Sequence, residues 1–325
     1  MPHPVLTKIA QDTLAAVQKS SYTDANGATH PIDDLSTPSF ASATEFYAPD
    51  STLSAWATSA PATPVNANTD IKTEFVLAKA STLEGIRLCP ADPAHKRPGV
   101  LNFASATRPG GGFLSGARAQ EESLARSSNI YSSFLTPQAQ LFYALHKSAA
   151  RRLDKTYTHA MIYTRGVRFF RSDSGAWVVP VDADVLTSAA VNAGEVRRRA
   201  GGATRGGRGG IKAYFKPADR PVPSSATNDV EATIEAAMRE RMGRLLFLFE
   251  KQGVLDLVLG SFGTGVFQNN VATVARLWVE LLLAPDARFA HSFRRVVFAI
   301  IDQKTCTIFR DVFIGLKVDF AESGT

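Results

Sequence analysis

Three consecutive glycines, Gly110, Gly111 and Gly112, precede Gln120-Glu121-Glu122 by seven residues. A run of three glycines gives no side chain to any core and costs extra backbone entropy on ordering. It suits a loop whose backbone closely approaches a ligand, with N–H groups turned to an anion. Acids opening the helix just downstream then stand beside that ligand, able to give or take a proton. Neighbours on a helix point about 100° apart. One carboxyl is therefore expected to reach the reacting bond while the other braces a hydroxyl or the first carboxyl. Acids also favour a helix N-terminus through the macrodipole, and for an isolated Glu-Glu that would suffice. The triple glycine at this spacing adds the chemistry: an anion cradle next to an acid.

A second glycine-bearing loop, Gly260-Ser-Phe-Gly-Thr-Gly-Val-Phe267, lies where a strand is expected to pass into a helix. Gly263 and Gly265 permit tight turns around Thr264 and Val266, and the helix N-terminus near Asn269 offers N–H groups to an anion. A lone GxG at such a junction is weak evidence; paired with the first loop it gains weight. Phe267 suits an apolar core as well as a ligand. Asn102 ends the strand that enters the first loop, where it would satisfy either turn backbone or a ligand. A P-loop reading fails, because GGGFLSGA lacks the lysine and spacing of that motif. Arg108 and Pro109 shape the loop.

These loops need a frame. Strands are expected at 75–78, 100–103, 160–163, 167–170, 177–181, 254–259 and 295–301, and helices at 6–17, 82–88, 120–134, 138–151, 229–251 and 270–283. Pro137 suits the first turn of the fourth helix. Alternating strands and helices imply an α/β fold with a largely buried mixed sheet. Residues 20–70, rich in Ser, Thr, Ala, Pro and Asn with isolated aromatics, are expected to wrap over the core as an extension. Glu195 to Lys212 reads EVRRRAGGATRGGRGGIK, with five arginines. A flexible surface insertion is expected there, or an accessory contact for polyanionic substrate or nucleic acid.

The chain has 325 residues, 45% apolar and 20% charged, with a net charge of +6. That composition is ordinary for a globular enzyme, and the charge favours anionic partners. Two cysteines, Cys89 and Cys306, are far apart, and the six histidines form no paired motif. No disulfide framework, metal site or cofactor is therefore expected, and a reducing compartment is the default. With no apolar run of roughly 18 residues and no secretory leader pattern, an intracellular location, cytoplasmic or nuclear, is expected.

The string LNFASATRPGGGFLSGARAQEESLARSS, together with the later Gly-Thr-Gly-Val-Phe, resembles the compact, bacterial-type poly(ADP-ribose) glycohydrolases. The similarity is read from about Phe75 to Phe313, the first seventy residues matching loosely. The resemblance implies a macrodomain-like three-layer α/β core, a central mixed sheet flanked by helices, over residues 71–325. The reaction implied is hydrolysis of ribose–ribose bonds in poly(ADP-ribose), mainly from polymer ends, releasing ADP-ribose. In it Glu122 matches the catalytic acid, which must keep a proton at neutral pH, and Glu121 the neighbour that orients ribose. Substrate contacts carried over are Asn102, Gly110, Gly111, Gly112, Gln120, Gly263, Thr264, Gly265, Val266 and Phe267, with Phe267 beside ribose and both loops near the diphosphate. Partners implied are poly(ADP-ribose) and ADP-ribosylated proteins, and the setting is the DNA damage response. Where the family alternates proline with small residues, this chain has Ala189 and Val191, which separates Asn192 from the pattern. Two rival readings are a mono-ADP-ribosyl-protein hydrolase and a non-catalytic ADP-ribose reader; the reader would not need the acids.

Overall fold

A computed structural model describes residues 3–34, 36–60, 73–90, 97–150, 155–203, 224–284 and 286–323. Its centre is an eight-stranded mixed sheet. The strands are β3 (Thr44–Tyr47), β4 (Glu74–Ala78), β5 (Gly99–Phe103), β6 (Met161–Arg171), β7 (Trp177–Ser188), β8 (Asp256–Leu259), β9 (Arg295–Ala299) and β10 (Ala321–Ser323), and they lie in the order β10-β4-β9-β8-β5-β7-β6-β3. From β10 to β7 every neighbouring pair is parallel, while β6 runs antiparallel to both β7 and β3. β1 (Ser21–Thr23) and β2 (Thr29–Pro31) form a separate small hairpin.

Successive residues of a strand face opposite sides, and here both sides are apolar. Val76, Val100, Val185, Val258 and Val297 join one buried cluster. Their neighbours Leu77, Leu101, Leu186, Leu259 and Phe298 join the other. A sheet buried on both faces needs helices on both. α3 (Thr82–Leu88), α4 (Gln120–Ser127), α5 (Ile130–Phe134) and α6 (Pro137–Ala150) supply Leu83, Leu124, Ile130 and Phe142 to the first face. α8 (Ser224–Lys251), α9 (Val271–Trp278) and α10 (Gln303–Gly315) supply Met242, Leu277 and Phe309 to the second. The expected three-layer, macrodomain-like core is present.

Local chemistry explains where the elements depart from expectation. The helix expected over 120–134 is two helices, because Ser128 is extended (φ −149°) and bridges to Phe169 of β6. Ser128 Oγ donates to the Leu124 carbonyl at 2.7 Å, and Asn129 Oδ1 accepts the Arg168 N–H at 2.9 Å. Such side chains offer backbone groups an alternative to the helix ladder. The two strands expected at 160–170 are one, irregular between Thr164 and Val167, where Gly166 has φ +67°. The N-terminal extension is more than a wrap. α1 (Pro4–Gln18) packs on α4, α2 (Pro38–Ala41) follows the hairpin, and β3 forms an edge of the main sheet. Within the expected flexible insertion, residues 195–203 belong to helix α7 (Ala193–Ala203). Its charges find partners there: Glu195 pairs with Arg198 one turn on, and Arg197 forks onto Glu231 of α8. Residues 204–212 lie outside the described residues, as do 61–70 of the expected wrap.

Candidate active site

Three neighbouring parallel strands, β8, β5 and β7, end on the same edge of the sheet. Ligands of open α/β sheets bind outside such carboxyl ends. β5 runs into the triple-glycine loop, β8 into the Gly263–Phe267 loop, and β7 into residues 189–192. The topology therefore brings together two loops that are about 150 residues apart in sequence.

At the first loop, Gly110 and Gly111 have φ of +63° and +59°, a region that L side chains seldom occupy. The glycines are required for a further reason. A Cβ on Gly111 would lie 2.3 Å from Glu122 Oε1 and 3.1 Å from Glu121 Oε2. Both carboxyls thus converge on one glycine, although they leave the helix in different directions. Gly112 N–H donates to Glu122 Oε1 at 2.8 Å, and Gly111 N–H closes a turn onto the Arg108 carbonyl at 2.9 Å. In this structure the Gly112 amide of the expected phosphate cradle holds the enzyme's own Glu122. An N–H group spent on Glu122 is not free for a diphosphate.

Glu121 is 2% exposed and Glu122 8%. Glu121 Oε2 accepts the Ser105 N–H at 2.7 Å, while its Oε1 is buried without a partner. Burial, and then the neighbouring charge of Glu122, push the Glu121 carboxyl up to about 8, against hydrogen bonds from Ser105, Asn102 and Gly110 that pull it down. Asn102 is fully buried, gives its amide to Thr187 Oγ1 at 3.2 Å and bears on Glu121. It stands beside one of the two acids. Gln120 is a positioning residue. Its Oε1 accepts the Phe103 N–H at 2.9 Å, and its Nε2 donates to the Leu101 carbonyl at 2.8 Å and to Thr82 Oγ1 at 3.2 Å. With its amide spent on β5 and α3, it fixes where α4 starts.

The second loop is built in the opposite sense. Gly263 has φ +74°, and a Cβ there would lie 2.4 Å from Ala190 Cβ. The Asn269 amide donates to the Gly263 and Val191 carbonyls at 2.9 and 2.7 Å, stitching this loop to the segment after β7. Thr264 turns inward, its N–H and hydroxyl both reaching the Ser261 carbonyl. Among the described residues, the N–H groups of Gly265, Val266 and Phe267 meet no acceptor. Val266 is 80% exposed, and Phe267 is half-buried with its ring 5.9 Å from that of Tyr157. Asn192 caps α7, its Oδ1 accepting the Glu195 N–H at 3.2 Å.

Two contributors escape a reading of the chain alone. Arg241 of α8 is completely buried and donates to the Ala189 carbonyl at 2.8 Å and to the Thr156 and Tyr157 carbonyls at 2.8 and 3.2 Å. It thereby fixes two loops beside Phe267. Tyr157 itself has φ +57°. An arginine inside an amphipathic helix gives no sign of burial, and a left-handed tyrosine gives no sign of its backbone.

An acid pair clasped by one glycine loop, beside a second loop with open amides, places this macrodomain-like fold among enzymes of carboxyl chemistry. The family model described as "Microbial-type PARG, catalytic domain" matches residues 10–172. The poly(ADP-ribose) glycohydrolase of Thermomonospora curvata is 32% identical, with a TM-score of 0.75 over 96% of this chain and 100% of that one. Its complex with the inhibitor ADP-HPD is similar at 31% identity and a TM-score of 0.73, over 95% and 99% of the two chains. The Deinococcus radiodurans enzyme, in complex with ADP-ribose, is 28% identical with a TM-score of 0.66 over 86% of this chain and 97% of that one. No curated protein sequence matches the chain. The chain belongs to the microbial-type poly(ADP-ribose) glycohydrolases and is a hydrolase of poly(ADP-ribose). The family match begins at residue 10, so the pattern reaches further toward the N-terminus than the expected Phe75. Among the described residues, no helix is long and apolar enough to cross a membrane.

Proposed function

We propose that the enzyme works from polymer ends, releasing ADP-ribose, with Glu122 as the acid and then the base. The observation that carries this reading is the placement of Glu122: its carboxyl is fixed by Gly112 N–H at 2.8 Å and is the more exposed of the pair. Protonated Glu122 gives its proton to the departing ribose oxygen as positive charge develops at the anomeric carbon. Its carboxylate then takes a proton from the attacking water. The amides of Gly265, Val266 and Phe267 receive the diphosphate, whose charge offsets that of the transition state, and Phe267 borders the ribose. The complexes of the two relatives with ADP-ribose and with the inhibitor ADP-HPD support binding of an ADP-ribose unit here. The substrates in this reading are poly(ADP-ribose) and the ADP-ribosylated proteins that carry it.

Glu122→Gln keeps the shape of the side chain and cannot cycle a proton. Single-turnover hydrolysis of automodified polymerase is expected to fall by about 10²–10⁴-fold, with ADP-ribose affinity by calorimetry within a few-fold of wild type. Near wild-type turnover would overturn the assignment. Separating polymer, free ADP-ribose and residual modified protein reads the mode of attack, and oligomeric fragments as first products would overturn exo action.

A further inference from the structure

We infer that the two acids hold one proton between them in the resting enzyme, that Glu121 stores it, and that substrate binding draws it onto Glu122. The inference rests on the reading of Glu122 as the acid and adds where its proton comes from. Three features of the geometry carry it. The two carboxyls converge on the place a Cβ on Gly111 would take, 2.3 and 3.1 Å from it, so two full negative charges would lie close together behind protein. Gly112 N–H is aimed at Glu122 Oε1 at 2.8 Å, so that oxygen already has a donor while Glu121 Oε1 has none. Glu121 Oε1 is a buried acceptor with no donor. A carboxyl proton on Glu121 supplies one.

Among the described residues, no cation is paired with Glu121. On α4 itself, Arg126 lies nearer Glu122 and gives Nη1 to the Ala117 carbonyl at 2.6 Å. Arg118, just ahead of the helix, is exposed, and Asp173 is held by Ser81 and Ser123. On α1, Lys8 pairs with Asp12. On α3, Glu84 closes a capping box. On β6, Arg171 lies over Trp177, its Cζ 3.3 Å from the ring centroid. From α6 and α5 come the phenols Tyr143 and Tyr131, the Tyr143 hydroxyl itself buried and unpartnered, while His146 of α6 is engaged by the Phe142 carbonyl and Thr158. Among the described residues, no salt bridge reaches either acid.

The proton count closes. At rest Glu121 is a carboxylic acid and Glu122 a carboxylate. The diphosphate brings negative charge toward the pair, Glu122 gains the proton and Glu121 loses it. Glu122 then protonates the departing ribose oxygen as the C–O bond breaks, and regains one proton from the water that adds at the anomeric carbon. When ADP-ribose leaves, the proton returns to Glu121.

The first test is carbon-13 NMR of the full-length enzyme with labelled glutamate side chains, which needs no turnover. One carboxyl is expected to titrate near pH 8 and to move to lower pH in Glu122→Gln, where the neighbouring charge is gone. A Glu121 already ionised at pH 7 in the wild type would overturn the inference. The second test is the pH dependence of kcat/KM, expected to fall about tenfold per unit above roughly pH 8 as the shared proton is lost. In Glu121→Gln, confirmed as folded by its melting curve, that alkaline limb is expected to shift to lower pH, since Glu122 must then bind its proton unaided. A uniform drop at every pH would show that Glu121 only positions, and would overturn the inference. These outcomes are distinct from failure of the acid assignment, which only retained activity in Glu122→Gln would bring about.

Discussion

Gly111→Ala tests whether the first loop exists to hold carboxyls or to hold phosphate. The added methyl would stand 2.3 Å from Glu122 Oε1 and 2.9 Å from its Cδ. Ordinary contact begins at roughly 3.5 Å, so the carboxyl must retreat by about 1 Å. A displacement of that size at a reacting group costs on the order of 10²-fold in rate. The backbone adds its own cost, because alanine at φ +59° loses about 1–2 kcal/mol relative to glycine. If the Gly112–Glu122 hydrogen bond breaks as well, about another 1.5–3 kcal/mol goes with it. The enzyme is therefore expected to remain folded, to melt several degrees lower and to lose about 10²-fold or more in kcat. ADP-ribose affinity should stay within a few-fold, since the Gly265–Phe267 amides are untouched. Gly315→Ala, at the end of α10 with nothing within 4 Å of the new methyl, is the control and should match wild type in all three measurements. The assays are melting by calorimetry, ADP-ribose titration and single-turnover hydrolysis. A folded Gly111→Ala enzyme with kcat within threefold of wild type would refute the clasp. Loss of ADP-ribose binding in proportion to kcat would return the loop to the role of phosphate cradle.

Thr13→Val should lower the melting temperature measurably. Thr13 is buried on α1 and gives its hydroxyl to the Arg126 carbonyl of α4 at 2.6 Å, and stranding that acceptor costs about 1–3 kcal/mol; an unchanged melting curve would show that α1 does not brace α4. Hydrolysis should survive exhaustive chelation, because the described residues include no group of three His, Cys, Asp or Glu side chains fit to hold a metal. Inactivation by EDTA with recovery on adding a divalent cation would contradict that.

Much of the frame could be read from the chain because the central strands are short apolar runs buried on both faces. Phe75–Ala78 and Val100–Phe103 carry that signal, and both strands lie where it places them. The edge elements were illegible for the complementary reason. β3 and β10 are edge strands of mixed character whose pairing is set by the sheet they join, and α10 was missed although Phe309 and Phe313 are fully buried on it. The break at Ser128 depends on β6 receiving it, and the helix at 195–203 depends on Glu231, some thirty residues away. Tertiary partners of this kind leave no local periodicity.

The site shows the same boundary between what a residue type implies and what its surroundings decide. A glycine run states that something comes close to backbone, and an acid pair states that protons can move. Neither states which anion the backbone meets. In the first loop a methyl at Gly111 would strike Glu122, so the close neighbour is the acid itself; in the second, Gly265 has open space where a methyl would go, and its amide is uncommitted. The two loops look interchangeable as GGG and GTG. They divide the work because α4, pinned by Gln120 to β5, turns its carboxyls back onto the loop that precedes it, whereas α9 starts with Asn270, which caps its own Thr273 N–H and leaves the loop before it facing outward. Where each helix begins relative to its glycines decides which loop clasps an acid and which keeps its amides open.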